Sequence, residues 1–593
     1  MTMNNRPRQL VICCDGTNNT LTGGVEDTNV LRLYEHLRRH TPTDTAPYER
    51  LLYYDPGVGN PDTVPPTGLI DWVSRSWQRM SGLASGRGIY DNIEQAYAFL
   101  MRNWRDEQDQ IYLFGFSRGA FTVRAVAGMV HLFGILKPQH EQLLPTLVHI
   151  YFSLPAEAHK PMQQFTRWLH RAVGKRGKAA AEVGAHPKEA PVSPREALAA
   201  QVRNEFTSKA GSEAWVHWVG VWDTVASVGL PGPMSRMNPS TATLQNKRIR
   251  NVRHALSFDE HRWTFEPRLY EVPADIDGPD RTLKQRWYPG VHCDVGGSYP
   301  RDECGFSDAA LAWMTSEVSS ALDVPPIPAS KARYVRHDAL WDTPWWALAG
   351  MTMRDMHPRV PAPDSAGVKV TMKVIPAELP PGEVRSVWRE RRPLWPLFVA
   401  AVLGGLCLEL SGWCLLPDFH VEDGLAEGMR QSIAAACAFA DDQLASLWFK
   451  GLLDETREPW MQPGQPGWAM FWDLGFILGW GYLLARISSR SFAWIAGARS
   501  PKSRMPLWCW LGMAPLLAVG GDVTEDLLTW FALVAHGIGT DMVAHALLFL
   551  TGMASLAKLA GLVACVPLVV VRFWMIFRPN SEKRPALDEQ KIC

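Results

Sequence analysis

The stretch IYLFGFSRGAFTVRAV, residues 111–126, decides the fold of this chain. Its first part, Ile111 to Phe114, is an apolar run as long as a buried strand. Its last part carries apolar side chains at helical spacing, which continue to Val130. Between them, Gly115-Phe116-Ser117-Arg118-Gly119 fits the pattern G-x-S-x-G. The order strand, sharp turn, helix favours a nucleophile elbow over a plain glycine-rich turn.

The spacing of this motif has a mechanical reason. A serine in a tight strand-to-helix turn has a strained backbone, and the absence of Cβ atoms at Gly115 and Gly119 makes room for that turn. The Ser117 hydroxyl then projects above the edge of the sheet. We expect the backbone amide of Arg118, at the helix N-terminus, to point at a developing oxyanion.

Length and composition narrow the class of protein. The chain has 593 residues, too many for one ordinary domain, and its formal net charge is zero, which does not favour nucleic acid as a partner. Its 26 Trp residues fit either a membrane interface or a Trp-rich core. The ten Cys residues form no C-x-x-C pair, so neither a zinc site nor a disulfide framework is predicted. The polar N-terminus does not predict a signal peptide.

The N-terminal part alternates strands with helices, which predicts a mostly parallel sheet flanked by helices. We predict strands at Gln9–Cys14, Leu51–Tyr54, Ile111–Phe114, Trp215–Trp222 and Gln285–Tyr288. We predict helices at Thr28–Arg38, Ile89–Trp104, Ile249–Glu260 and Phe306–Leu322, with a further Trp-bearing helix within 68–88. Residues 138–206 interrupt this alternation, and we interpret them as a helical surface insertion with a basic, then Pro-rich, flexible segment. An inert insertion is favoured over a lid or a membrane-contacting arm.

Three residues that each follow a predicted strand form a candidate catalytic triad. Ser117, Asp223 and His292 occur in the chain order of α/β-hydrolases, and parallel strands present such loops at one edge. Ser117 would attack a carbonyl carbon, His292 would carry its proton, and Asp223 would orient the imidazole. Taken alone, such an Asp is more often a helix cap or turn residue, and such a His is more often structural.

The loop after the first strand offers further candidates. Gly16 or Thr17 could supply a second oxyanion amide beside that of Arg118. Asp15 and Asp294 are possible site-shaping residues that accept hydrogen bonds. A cation at either carboxylate is an alternative without support, and no cofactor or metal is predicted.

Six ordered motifs resemble the DUF2235 family and the catalytic domain of the G-x-S-x-G class of type VI secretion lipase effectors. The resemblance covers roughly residues 8–360. The motifs are CDGTNN (Cys14–Asn19), YYDPGVG (Tyr53–Gly59), LFGFSRGAFTVR (Leu113–Arg124), GVWDTVASVG (Gly220–Gly229), HALSFDEHRWTFEP (His254–Pro267) and YPGVHCDVGGSY (Tyr288–Tyr299).

The resemblance implies an α/β-hydrolase that cleaves phospholipid acyl esters. The serine, aspartate and histidine of the family fall on Ser117, Asp223 and His292. The hypothesis of a type VI effector secreted into target cells goes beyond these motifs, because the family includes members that are not known toxins. Whether a secretion spike, a chaperone or an immunity protein binds this chain is left open by the sequence.

The composition changes in the C-terminal third, where apolar runs predict a helical membrane-associated domain. The runs are Leu394–Leu416, Trp468–Ala485, Met505–Val519 and Val543–Val571. The links between them alternate basic and acidic, which fits four spans with both termini inside. Glu409, Asp473 and Lys558 would be unfavourable at membrane depth and favour the alternative of a buried helical domain. We therefore predict a catalytic domain at 1–365, a linker at 366–392 and a membrane-associated domain at 393–593.

Three hypotheses follow from these patterns. The first is an interfacial phospholipase that uses the triad while its apolar tail keeps it at a phospholipid membrane. The second is a protein whose tail disrupts membranes without hydrolysis. The third is a membrane-tethered esterase of soluble substrates.

Overall fold

The computed structural model describes residues 6–16, 27–43, 45–57, 87–152, 194–225, 248–270, 281–352, 354, 368–374, 383–384, 466–497, 506–537 and 541–577. The chain divides into two compact units. The first consists of Met1–Phe258, Glu266–Arg336 and Pro358–Glu383. The second consists of Asp259–Phe265, His337–His357 and Val384–Cys593.

The described residues contain nine strands. They are β1 (Arg8–Cys14), β2 (Glu49–Asp55), β3 (Gln110–Phe116), β4 (Val216–Trp222), β5 (Ile249–Ser257), β6 (Arg281–Tyr288), β7 (Val335–Arg336), β8 (Val368–Val374) and β9 (Glu383–Val384). Five of them, β1, β2, β3, β4 and β6, overlap the predicted strands. The two-residue strands β7 and β9 lie outside the main sheet.

Helices occupy both the intervals between these strands and the C-terminal third. They are α1 (Asn29–Arg39), α2 (Arg87–Asn103), α3 (Ser117–Phe133), α4 (Leu144–Phe152), α5 (Pro194–Phe206), α6 (Lys209–Ser212), α7 (His292–Gly296), α8 (Gly305–Leu322), α9 (Ala339–Asp342), α10 (Pro466–Gly497), α11 (Pro506–Gly537) and α12 (Asp541–Phe577). Short 3₁₀ turns lie at Pro138–Leu143, Trp263–Phe265, Arg301–Glu303 and Pro344–Ala349.

The first unit is built on a seven-stranded sheet in the order β2-β1-β3-β4-β5-β6-β8, with every pair parallel. β1 pairs with β2 on one side and with β3 on the other, so the strand order reverses there. A reversal of this kind opens a crevice at the carboxyl ends of the strands, where ligands bind in open α/β sheets. Cys14 at the end of β1 lies beside Gly115 of β3, which places the predicted elbow at that crevice.

Each face of this sheet is covered by helices. Residues of α2, α3, α4 and α5 pack on one face, and residues of α1 and α8 pack on the other. Neighbouring residues of β1 alternate between them: Leu10 and Ile12 join the first core, and Val11 and Cys13 join the second. Burial on both faces is the arrangement expected of an all-parallel sheet, and it confirms the predicted α/β architecture.

One predicted element is wrong, and one predicted linker contains a strand. Residues 249–257 form strand β5 instead of a helix, because this strand lies inside the sheet and buries both faces, which hides the two-residue period. The predicted linker 366–392 contains β8, which pairs in parallel with β6. The alternation of Val368, Val370, Met372 and Val374 with polar residues is a strand pattern within that segment.

The ends of the predicted insertion 138–206 belong to the core. Leu144, Leu147 and Tyr151 of α4 are almost completely buried, and so is Ala199 of α5. Apolar side chains at helical spacing must be covered, and the described ends of this insertion are therefore structural. Residues 153–193, including the predicted flexible segment, lie outside the described residues, as does the helix predicted within 68–88.

The second unit combines the C-terminal helices with two shorter segments that precede them in the chain. His261 contacts Phe492 of α10 with ring centroids 6.1 Å apart, and the amide of Met351 donates to the carbonyl of Gly512 of α11 at 2.9 Å. Both segments, Asp259–Phe265 and His337–His357, fall inside the predicted catalytic domain 1–365. Part of the motif HALSFDEHRWTFEP thus belongs to the helical unit.

Lys558 of α12 is paired inside this unit. Its ammonium lies 2.6 Å from Asp522 Oδ1 and 3.0 Å from Glu525 Oε2, both on α11. The indole of Trp480 on α10 donates to Asp522 Oδ2 at 3.1 Å. These partner charges offset the unfavourable transfer of a lysine from water into the interior of the helical unit.

One segment of the described residues, Phe549–Trp574 in α12, is long and apolar enough to cross a membrane, judged by length and composition. It falls in the fourth predicted run. The helices that contain most of the second and third runs, α10 and α11, do not meet the same test. Buried polar residues such as Arg486, Arg490 and Asp522 interrupt them. The first run, 394–416, lies outside the described residues.

Candidate active site

Ser117 stands where strand β3 turns directly into helix α3. Its backbone φ is 56°, in the left-handed region that non-glycine residues rarely adopt. Its side chain is buried apart from a small exposed fraction of 8%. A positive φ at this point is the strained geometry that the motif predicts, and such strain clusters at functional sites.

The two glycines of the motif meet backbone atoms that leave no space for a side chain. A Cβ at Gly115 would lie 2.5 Å from the carbonyl oxygen of Gly119. A Cβ at Gly119 would lie 2.4 Å from the carbonyl oxygen of Asp15. The second contact shows that the loop after β1 packs directly against the turn that carries Ser117.

Asp223 and His292 are hydrogen-bonded to each other. Asp223 follows β4 with a φ of 39°, and His292 begins helix α7 shortly after β6. His292 Nδ1 donates to Asp223 Oδ2 at 2.5 Å, and both side chains are buried. Because a carboxylate only accepts, the proton of this bond belongs to Nδ1, which leaves Nε2 as the basic ring nitrogen.

The residue that precedes Ser117 in the chain contacts the imidazole of His292. The ring of Phe116 stacks on the His292 imidazole with centroids 4.6 Å apart. Among the described residues no hydrogen bond joins the Ser117 hydroxyl to the imidazole. Hydrogen bonds between catalytic groups are often long in unliganded enzymes and shorten only with substrate.

The helix that begins with His292 is held from two sides. Asp294 accepts a hydrogen bond from the Val291 amide at 2.9 Å, so this predicted site-shaping residue caps the helix. The Asn29 side chain donates to the carbonyl of Val295 at 2.9 Å. Phe116 also occupies the space beside Gly296, where a Cβ would lie 1.9 Å from its ring. The orientation of the imidazole therefore depends on packing around α7 as well as on Asp223.

The carboxylate of Asp15, at the end of β1, accepts hydrogen bonds from several donors. Its Oδ1 accepts from the Gly16 amide at 2.7 Å, and its Oδ2 accepts from the Thr28 hydroxyl at 2.5 Å and the Tyr54 hydroxyl at 2.9 Å. Burial, with the charge of Asp15, raises the pKa of the Tyr54 phenol, so Tyr54 stays a donor at neutral pH. Asp15 thus joins β1, β2 and α1 near the elbow.

The predicted oxyanion donors differ in what they contact. The amide of Gly16 donates to Asp15, which occupies the donor that an oxyanion would need. Thr17 lies outside the described residues. The amide of Arg118 is in the first turn of α3, where helix amides have no intrahelical acceptor. Burial lowers the pKa of the Arg118 side chain to about 10, so its guanidinium stays protonated at neutral pH.

Ser257 is a functional candidate that sequence reasoning missed. It ends β5, is fully buried, and contacts both oxygens of Asp223. It lies within the motif HALSFDEHRWTFEP. Because a helix was predicted at Ile249–Glu260, the sequence did not indicate that Ser257 stands at the end of a strand. Asn29 was missed as well, because an Asn at the start of a helix indicates capping more readily than contact with a distant helix.

No group of three or more His, Cys, Asp or Glu side chains within the described ranges is arranged to hold a metal ion. The groups that the fold gathers at the carboxyl edge of the sheet are a serine, an imidazole and carboxylates. These groups suit nucleophilic attack and proton transfer.

Comparison with known proteins gives a family and a distant relative. The family model described as the catalytic domain of type VI secretion, Tle1-like phospholipase effectors matches residues 8–317. An uncharacterized protein of Saccharomyces cerevisiae is 28% identical over 263 residues, which are 44% of this chain and 32% of the yeast protein. The chain thus matches about a third of the length of that curated relative.

Proposed function

The chain belongs to the family of Tle1-like phospholipase effectors of the type VI secretion system, and on this basis we propose that it is a serine-dependent phospholipase with an α/β-hydrolase fold. Ser117 is the proposed nucleophile, His292 the general base and acid, and Asp223 the carboxylate that orients the imidazole. The proposed substrate is an acyl ester bond of a membrane phospholipid, so the reaction is of the phospholipase A type.

The observation that carries this proposal is the hydrogen bond from His292 Nδ1 to Asp223 Oδ2 beside a serine with positive φ. The three residues follow β3, β4 and β6, which end at one edge of a parallel sheet. Nucleophile, base and orienting carboxylate are the parts that covalent ester hydrolysis requires. Their order along the chain is that of α/β-hydrolases.

The proposed reaction has two half-reactions. Ser117 Oγ attacks the ester carbonyl carbon while His292 Nε2 takes the hydroxyl proton. The bond to the leaving alkoxide then breaks as His292 returns this proton to it, which yields a lysophospholipid and an acyl-enzyme. A water molecule, deprotonated by the same nitrogen, attacks the acyl-enzyme, releases the fatty acid and restores Ser117.

The Arg118 amide is the proposed donor to the oxyanion of both tetrahedral intermediates. It lies at the N-terminus of α3, where the helix dipole also favours negative charge. Gly16 would have to release its hydrogen bond to Asp15 before it could act as a second donor.

Helix α12 supports the membrane part of the proposal. Four exposed apolar side chains in its C-terminal half recur three or four residues apart and so lie on one face: Val563, Val566, Val570 and Phe573 are each 54–59% exposed. A wide apolar stripe on one face of a helix favours contact with lipid acyl chains. We propose that this face holds the protein at a phospholipid membrane.

The test is product analysis by mass spectrometry on defined phospholipid vesicles, with the full-length chain and Ser117→Ala. Wild type should release fatty acid and lysophospholipid, and Ser117→Ala should lose at least roughly 10⁴-fold in rate, as expected for a missing nucleophile. The matched control is Ser307→Ala, which removes another buried serine hydroxyl, one that donates to the carbonyl of Cys304. Undiminished release by Ser117→Ala would exclude this mechanism.

The same variants separate the two other hypotheses. Dye leakage from vesicles that survives Ser117→Ala would favour membrane disruption through the exposed face of α12. Equal activity on a short soluble ester, with no rise when lipid aggregates form, would favour a tethered esterase. Interfacial phospholipase action requires that both leakage and hydrolysis depend on Ser117 and that activity rises at the lipid surface.

Delivery of this chain into neighbouring cells is a further part of the proposal, supported by the family. An effector that hydrolyses phospholipid also endangers the cell that makes it, so an immunity protein that blocks the Ser117 site is the expected partner. Expression directed to the periplasm of a bacterial host, compared with Ser117→Ala, tests whether toxicity depends on hydrolysis.

A further inference from the structure

Ser257 is the last residue of β5, the strand that separates β4 from β6. Asp223 follows β4, and His292 follows β6 after a short turn. Ser257 therefore lies between the two strands that carry the acid and the base. Its side chain is fully buried, so its hydroxyl must find an acceptor in the protein.

That acceptor is the carboxylate of Asp223. The Ser257 amide donates to Asp223 Oδ1 and the Ser257 hydroxyl donates to Asp223 Oδ2, each at 3.0 Å. Oδ2 is also the oxygen that accepts from His292 Nδ1 at 2.5 Å. We infer that Ser257 is a positioning residue for the proposed triad, whose hydroxyl fixes Asp223 Oδ2 and limits the negative charge that this oxygen presents to His292.

The amide and the hydroxyl contribute differently to this arrangement. Any residue at position 257 provides the amide, which leaves the hydroxyl as the part that depends on side-chain identity. A carboxylate oxygen has room for two donors, and Oδ2 shares its lone pairs between Ser257 and His292. A hydrogen bond to a charged group is stronger than one between neutral groups, so its loss should be measurable.

The direction of the effect follows from charge. Without the hydroxyl, Oδ2 carries more uncompensated negative charge, which stabilises the imidazolium form of His292. The pKa of His292 then rises. Because the base must be neutral to act, the acid limb of the rate profile should move to higher pH.

The other charged groups of this region stay the same in every variant. Asp294, on the helix of His292, caps the Val291 amide. Asp15 accepts from Gly16, Thr28 and Tyr54 at the end of β1, and Arg118 follows the proposed nucleophile. A shift confined to variants of Ser257 therefore reports on the Asp223 carboxylate.

The inference rests on the proposed function, and its test uses the full-length chain with two readouts. For Ser257→Ala we expect kcat on phospholipid to fall about ten-fold with little change in KM, the size expected for one hydrogen bond to a charged group. The acid limb should shift upward. Ser257→Thr, which retains a hydroxyl, should restore both values, and Ser307→Ala should match wild type.

The second readout does not need catalysis. The titration of the His292 imidazole is followed by proton NMR, with His292→Gln to assign its signal, and Ser257→Ala should raise the pH of its midpoint. If Ser117→Ala kept full hydrolysis, the proposed function would fail while this titration would still test the contact.

A variant with a side chain of similar size distinguishes the loss of the hydroxyl from a folding defect. Ser257→Cys replaces the hydroxyl with a weak donor, so it should reproduce the upward shift even if Ser257→Ala is unstable. A wild-type midpoint and acid limb in both variants would overturn the inference. A Ser257→Thr protein that behaved like Ser257→Ala would overturn it too, since packing would then be the property lost.

Discussion

The two units of this protein both bury charged side chains, but they surround them differently. In the first unit, Asp223 holds the imidazole of His292 at the edge of a parallel sheet, beside a serine with strained backbone. In the second unit, Lys558 is held by two carboxylates, Asp522 and Glu525. The first arrangement orients the imidazole that is proposed as the base, whereas the second joins two helices.

This difference indicates that the buried charges of the two units have different roles. A carboxylate–imidazole pair can pass a proton near neutral pH, which a lysine paired with two carboxylates does not do. The second unit instead presents apolar side chains outward along α12. Changes to buried charge in the helical unit should therefore alter stability, and changes on the exposed face should alter activity at membranes.

The largest effect is expected when Lys558 loses its charge. Lys558→Met leaves Asp522 and Glu525 buried without their cation, and we expect a loss of about 4 kcal/mol in unfolding free energy, the usual effect of breaking a buried ion pair. Chemical denaturation in detergent measures it. Lys558→Arg should be near wild type, and adding Asp522→Asn and Glu525→Gln to Lys558→Met should recover most of the loss. If Lys558→Met kept its stability but lost hydrolysis, buried charge in the second unit would have a role other than stabilising the fold.

The next effect concerns Glu260, which is buried and bonded to Arg262 at 2.7–2.9 Å. Burial alone would raise its pKa, but Arg262 and Arg354 outweigh burial and lower the pKa to about 2. A folded-state pKa below the unfolded value stabilises the protein above about pH 4.5 and ceases to do so as the pH falls to about 2.

Glu260→Gln should therefore lower stability by about 3 kcal/mol at neutral pH. The gap from wild type should shrink as the pH is lowered from about 4.5 toward 2. Thermal unfolding at several pH values measures this, with the exposed Glu107→Gln as control. A gap independent of pH would mean that the carboxylate charge is not the stabilising feature.

The smallest effect sharpens the role of the exposed face. Val566→Asp combined with Val570→Asp puts two charges on the outward stripe of α12, which should lower hydrolysis of phospholipid vesicles about 100-fold, from the free energy of placing a charge in lipid. Hydrolysis of a short soluble ester should be unchanged. Val566→Ala with Val570→Ala is the matched control. An equal loss on both substrates would show that the face supports folding rather than lipid contact.

The fold of the first unit was largely predictable from sequence patterns. The strands at the ends of which Ser117, Asp223 and His292 stand were each predicted within a few residues, because dense β-branched and aromatic runs are bounded by small polar residues. The error at β5 arose because a strand buried on both faces lacks alternation. β8 was overlooked although its alternation is visible, because the segment lies after the last recognised motif.

The candidate site was predicted only in part. Ser117, Asp223 and His292 were chosen from their order and from strand ends, but Ser257 and Asn29 carry no comparable local signal. Their importance comes from contacts with residues 34 and 266 positions away in the chain. The ion pairs of Lys558 with α11 could not be predicted from the sequence either. A lysine in an apolar run indicates that a charge is placed unfavourably, but it does not indicate which residues pair with it.

The sequence by itself determined the alternation of strands and helices, the elbow around Ser117 and the candidates for base and acid, because these depend on periodicity and on turn geometry over a few residues. Only the tertiary structure decided which groups meet: the imidazole with Asp223, the Ser257 hydroxyl with the same carboxylate, and the Gly16 amide with Asp15. Hydrogen bonds act over about 3 Å, and only folding brings distant residues within that range.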